Sequence, residues 1–249
     1  MARTDETRRI GLLIPSSSST QEPEFARALP PHVTVHAARL TLTKISADQT
    51  AKVAEHIETE SRKLADADVD VIALPATAPS SRQGVGGDQA LIKRISDATG
   101  KPATTASTAL LEALALLGKR RLVIGAPWSR AVNESVAAFL RGHGYEVLDH
   151  QELGHVDNLE VGRLAESTAY DMGRRVDRPD AELVMLACGN WRTLGVIDRL
   201  ERELGKPVLS TNLVTLWGAL RLAGGVARLD GYGGLLRDHL ADPKSAAAE

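Results

Sequence analysis

Cys188 is the only cysteine in 249 residues, so it has no internal disulfide partner. It closes the apolar run LVMLA within 182–191, ELVMLACGNW; Gly189, Asn190 and Trp191 follow before a helical pattern begins. In an open α/β sheet, ligands bind beyond the carboxyl ends of the strands. A thiol placed there can serve as acid, base or nucleophile. The competing reading is packing, since free cysteine is among the most buried residue types.

Other side chains with chemical potential also follow apolar runs. Thr77 comes after Pro75 and Ala76, and Trp128 comes after the run ending at Pro127. The loop 16–20, SSSST, follows Pro15, and its hydroxyl and N–H groups suit an anion. Asn158 lies in the loop 157–162, DNLEVG. Each has a plainer role open to it: Thr77 as a cap, Trp128 as core, Asn158 as a bridge between loop backbones. Trp128 can donate only through its indole N–H. None of the seven histidines shows metal-ligand spacing. His36 and Arg39 read as a solvated pair. The glycines of 80–87, SSRQGVGG, do not follow a strand in a dinucleotide-binding arrangement, so that segment reads as a flexible loop. No metal and no cofactor are expected.

The elements that position these residues alternate along the chain. Strands are predicted at 9–15, 33–37, 69–74, 103–105, 121–127, 145–148, 183–187 and 208–210, as short apolar runs bounded by turn residues. Between them fall helical patterns: one opened by Pro23, then 48–67 with Asp48 as N-cap, 88–99, 107–117, 131–141, 164–176, 192–204 and 213–223. The tail 242–249 is expected to fray. The composition, 43% hydrophobic and 25% charged, is that of a globular chain. A net charge of −2 gives no polybasic footprint for nucleic acid. No apolar run reaches about 18 residues, so no membrane span is expected. A charged start with no secretory pattern and a single cysteine point to the cytoplasm.

The halves repeat. RIGLLIP at 9–15 matches RLVIGAP at 121–127, and the same shift of 112 lays VIALPA, 71–76, under LVMLAC, 183–188. GKPATTAS from Gly100 resembles GKPVLSTN from Gly205, and each leads into a Leu-rich helix ending at Gly118 or Gly224. The expected fold is α/β: two pseudo-symmetric Rossmann-like lobes, each a four-stranded parallel sheet flanked by helices, with the site in the cleft between them. Residues 1–118, with a C-terminal segment at about 212–240, would form one lobe and 119–211 the other. In that frame Ala76 faces Cys188, and Ser16 pairs with Trp128.

With these segments the chain resembles the aspartate/glutamate racemase superfamily, in its arylmalonate decarboxylase and maleate cis-trans isomerase branch. The resemblance runs from IGLLIPSS to RLAGGVARLDGYGGLL. It implies a cofactor-independent enzyme acting on a small mono- or dicarboxylate, as a monomer or small homo-oligomer. Members of the superfamily typically carry a cysteine at the matching strand end of each lobe; this chain has Ala76 in the first place and Cys188 in the second. Pro15, Thr77, TTASTALLEAL, Cys188-Gly189, LWGALRLAGG and GYGGLL match the decarboxylases. IPSSSSTQE, HAARL and DNLEVGR lie on the isomerase side, with Asn158 kept and an asparagine near Ser18 lost. Trp128 stands where both groups have tyrosine, and Ala78 where the decarboxylases have serine.

The resemblance thus implies decarboxylation of a small aryl- or alkyl-malonate. Cys188 would protonate one face of an enediolate. Thr77, N–H groups of the 76–78 turn and those at Cys188-Gly189 would hold its oxygens. Pro15, Ser16, Ser18, Trp128 and Asn158 would complete the wall. Maleate isomerisation, related racemase chemistry, or silent binding of a dicarboxylate stand as the alternatives.

Overall fold

The computed structural model describes residues 7–240 apart from Gly225 and Ala227; the tail expected to fray lies outside the described residues. The chain runs β1 (Arg8–Pro15), α1 (Gln21–Ala28), β2 (Val33–Leu40), α2 (Ala47–Lys52), a 3-10 turn at Val53–His56, α3 (Ile57–Asp66), β3 (Val71–Leu74), α4 (Thr77–Ser81), α5 (Gly87–Thr99), β4 (Ala103–Thr105) and α6 (Ala106–Leu117). The second half repeats the alternation: β5 (Arg121–Ala126), α7 (Arg130–Gly142), β6 (Glu146–Glu152), α8 (Asn158–Arg163), α9 (Glu166–Val176), β7 (Leu183–Leu186), α10 (Leu194–Leu204), β8 (Val208–Ser210) and α11 (Thr211–Ala223). A short α12 (Gly234–Asp238) closes it.

The strands form two four-stranded sheets, ordered β2-β1-β3-β4 and β6-β5-β7-β8, with every pairing parallel. Parallel sheets are covered on both faces, which is why β3 and β7 are apolar at all four positions and fully buried. Each Leu, Ile or Met so placed contributes about 1.5–3 kcal/mol of burial. Helices α3 and α5 pack together on the first sheet, and α9 and α10 do so on the second. Helix α11 crosses back onto β1, β3 and β4, tying the end of the chain to its beginning.

In both sheets the strand order reverses at matching places, between β1 and β3 and between β5 and β7. The chain leaves those neighbouring strands toward opposite faces, and a crevice opens at their carboxyl ends. The residues there are Pro15, Pro75–Pro79, Trp128 and Cys188–Asn190.

Three local expectations need correction. The helix predicted at 48–67 starts at Ala47 and breaks into α2, the 3-10 turn and α3. Its N-cap is Ser46, whose side chain accepts from Gln49 N, rather than Asp48. The segment 157–162 is helical rather than looped, because Asp157 accepts the N–H groups of Leu159 and Glu160 and so caps α8. Ser80 and Ser81 lie in α4, each turning its hydroxyl back onto a backbone carbonyl four residues earlier.

Candidate active site

A cavity of about 30 Å³ lies where the four strand ends meet. Its wall includes Pro15, Ala76, Thr77, Ala78, Trp128, Asn158, Cys188 and Gly189, eight of the ten positions singled out from the sequence. That volume is close to the space of one water molecule, too little for a substrate in this conformation. The roof is the segment after β2: Ile45 N donates to Val156 O at 2.8 Å, Asn158 N donates to Thr43 O at 3.0 Å, and Lys44 bridges Asp157 in antiparallel fashion. An adjoining cavity of about 250 Å³ shares Ile45, Thr50 and Ala78 with the first and adds Val132 and Val156.

Ser16 and Ser18 do not reach the wall. Ser16 Oγ accepts from Leu42 N at 3.1 Å, and Ser18 Oγ donates to Gln21 Oε1 at 3.1 Å. The hydroxyls of Ser16, Ser17, Ser18 and Thr20 bond the protein itself, Thr20 Oγ1 donating to Asn190 O at 3.0 Å, so these four are not the anion cradle expected. Arg39 is exposed as expected but does not pair with His36: it donates to Ser16 O and Ser18 O and pairs with Glu22, holding the loop in place.

Cys188 is buried, with 3% of its surface exposed. Burial pushes its thiol up to about 12, while the N–H groups of Asn190 and Trp191 pull it down to a lesser extent. Near neutral pH it is therefore a protonated thiol and a poor nucleophile. Its backbone N–H donates to Thr211 Oγ1 at 2.9 Å, which removes it from the set of donors expected to face an anion. The N–H groups of Thr77 and Ala78 open α4 ahead of its first backbone bond, from Ser80 N to Ala76 O. Pro79 has no N–H to add. Gly189 is dictated by proximity: a Cβ there would lie 2.5 Å from Pro75 O and closer still to the Gln21 side chain.

Trp128 turns its indole N–H toward Asn133 Oδ1, 3.4 Å away. Asn133 in turn donates to Gln151 O at 3.2 Å. The indole thus offers the pocket carbon and no donor. Asn158 Nδ2 donates to Ser17 Oγ at 2.8 Å, so it braces the loop while lining the cavity.

Sequence reasoning missed Gln21, Leu42, Ile45 and Asn190 on the wall. Asn190 is the junction of the site: its side chain accepts from Ser19 N at 2.9 Å and donates to Asn158 O at 2.6 Å. Its place directly after Cys188-Gly189 was the available signal. A cleft of about 620 Å³ between α1 and α10 is a different place. There Glu24 accepts from Thr193 N, Leu194 N and Asn212 Nδ2, and burial raises its carboxyl to about 7. Among the described residues no group of three or more His, Cys, Asp or Glu could hold a metal ion, and no helix is long and apolar enough to cross a membrane.

The chain is 33% identical over 232 residues to the arylmalonate decarboxylase of Bordetella bronchiseptica, covering 92% of this chain and 96% of that one. A liganded double mutant of arylmalonate decarboxylase, glycine to cysteine and cysteine to serine, superposes with a TM-score of 0.86 at 32% identity, covering 93% and 99%. The maleate cis-trans isomerase of Nocardia farcinica, a cysteine-to-serine mutant with a covalently bound succinylcysteine intermediate, gives 0.87 at 25% identity, covering 93% and 98%. A sequence profile of the arylmalonate decarboxylase family matches residues 10–236, and with that the chain belongs to this family.

Proposed function

We propose that the protein decarboxylates a small α-substituted malonate without a cofactor, with Cys188 as its single proton donor. The observation that carries this reading is one buried thiol on the wall of a pocket whose opposite strand end has Ala76, with no acid–base side chain, at the matching position. One substrate carboxylate sits against Thr77 and the N–H groups that open α4; the other points at apolar wall. The bond from the α-carbon to that second carboxylate breaks, CO2 leaves, and the electron pair spreads onto the remaining carboxylate as an enediolate. The Cys188 S–H proton then passes to the α-carbon, giving the monoacid. The thiolate, held meanwhile by the N–H groups of Asn190 and Trp191, regains a proton from water. The adjoining apolar cavity suits the α-substituent once the roof lifts.

A second reading, maleate cis-trans isomerisation, is favoured by Asn158 on the wall and by the likeness to the Nocardia farcinica enzyme. That route needs a thiolate to add to the double bond, and the burial of Cys188 opposes it. Phenylmalonate and methylmalonate incubated with the purified protein, with CO2 followed directly and maleate run in parallel, separate the two. We expect CO2 release. No release together with conversion of maleate to fumarate would sink the decarboxylase reading.

A further inference from the structure

Helix α11 begins directly after β8, and its first side chain, Thr211, is wholly buried between the two strand ends. Its hydroxyl is not needed to start the helix, because Ser210 is the cap and accepts from Leu213 N at 3.2 Å. The internal repeat makes the same point. In GKPATTAS, Thr105 caps α6 as Ser210 caps α11, and the residue matching Thr211 is Ala106. One copy of this turn folds without a hydroxyl where the other buries one.

What that hydroxyl touches is the site. Thr211 Oγ1 accepts from Cys188 N at 2.9 Å and lies 2.6 Å from Thr77 Oγ1. Those are its two hydrogen-bond contacts among the described residues. If Thr77 donated to Thr211, the buried Thr211 proton would have no acceptor, an arrangement that carries the full desolvation penalty of an unpaired donor. If Thr211 donates to Thr77, both of its bonds are made, and the Thr77 proton is left to turn into the cavity that Thr77 lines.

We propose that Thr211 is a positioning residue that fixes the direction of the Thr77 hydroxyl and so makes it a donor to the substrate's retained carboxylate. The chain runs from Cys188 N–H to Thr211, from Thr211 O–H to Thr77, and from Thr77 O–H to the carboxylate oxygen. Each link polarises the next, so Thr77 donates more strongly than an isolated hydroxyl. The same chain fastens the backbone at the proton donor to the donor of the anion site across the two sheets.

This inference rests on the decarboxylase reading for its chemistry, while its geometry is testable through carboxylate binding alone. Thr211→Val, Thr211→Ala, Thr211→Ser, Thr77→Val and the Thr77→Val/Thr211→Val pair are compared for CO2 release from phenylmalonate, for calorimetric Kd of phenylacetate, and for Tm. Thr211→Ser, which keeps the hydroxyl, should stay within about 3-fold of the parent. Thr211→Val and Thr211→Ala, which misdirect the Thr77 donor without removing it, should lose about 10- to 100-fold in kcat, at or below the cost of losing one oxyanion donor, and weaken phenylacetate about 3- to 10-fold. The double variant should be no worse than Thr77→Val, since the two act as one unit. Effects that add, or Thr211→Val and Thr211→Ala both within 2-fold of the parent in kcat and Kd, would overturn the assignment; so would a parent protein that binds no carboxylate. A parent that binds phenylacetate through coupled Thr77 and Thr211 yet releases no CO2 would retire the decarboxylase reading and leave this one standing.

Discussion

The end of β3 and the end of β7 occupy matching places in the repeat and do different things. After β3 the chain turns at Pro75-Ala76 straight into α4, whose Thr77 and Ala78 line the cavity. After β7 it passes through Cys188, Gly189 and Asn190 before α10 begins at Leu194, bringing a thiol and an amide that laces three segments together. A repeat whose two copies need not do the same work can place charge stabilisation on one side of a carbon and proton delivery on the other. A racemase needs an acid–base group on both faces; Ala76 withholds it on one.

The largest expected effect removes the thiol. Cys188→Ala should lower kcat for a malonate by at least about 10³-fold, while phenylacetate binding and Tm hold. A loss of less than about 10-fold would mean the proton comes from elsewhere. The pH profile sharpens the same point. With the thiol pushed up to about 12, the acid form persists across the neutral and mildly alkaline range, so kcat should fall only as pH nears that value. A rate that climbs steadily with pH would indicate a thiolate route instead. Making the strand ends alike comes next: Ala76→Cys should create a second acid–base group, raising deuterium exchange at the α-carbon of a 2-arylpropionate in D2O by about 10-fold or more. Unchanged exchange would show that the two positions do not share one carbon.

Gly189→Ala tests their closeness. The added carbon would lie 2.5 Å from Pro75 O, so the ends must part, at a cost of about 1–3 kcal/mol. Chemical denaturation reads this directly, with Ala76→Gly as a control expected to move little. The smallest effect lies behind the β7 end, where Glu24 fastens the start of α10. Its carboxyl is raised from 4.5 to about 7 by burial, so the folded state holds a proton that the unfolded state releases. That contribution is complete below about 4.5 and is lost as pH rises through about 7. Tm should therefore decline from pH 5.5 to pH 8 in the parent and decline less in Glu24→Gln; parallel curves would remove Glu24 as the source.

Much of this was legible because buried parallel strands leave unmistakable runs, and because two prolines and two glycine turns repeat at nearly constant spacing. That spacing alone put Ala76 and Cys188 at matching strand ends, and both line the cavity. Helix α8 was readable too, since Asp157 with Glu160 three residues on is a capping pattern, but its short span and internal Gly162 hid it. Ser46 with Gln49 carried the same signal for α2. The hydroxyls of Ser16 and Ser18 were misjudged because a serine run near a strand end says nothing about which way each oxygen turns. Thr211 lies beyond such reading: its two contacts join residues 23 and 134 positions away.

The roof over the cavity has an isotopic consequence. On the proposed mechanism, a carbanion formed beneath the 43–45 strap, which is bonded to 156–158, would take the hydrogen already on sulfur. In a mixture of H2O and D2O, the label in the product should then follow the isotopic preference of a thiol, which differs from that of water. The composition of the product would report which atom last carried the proton.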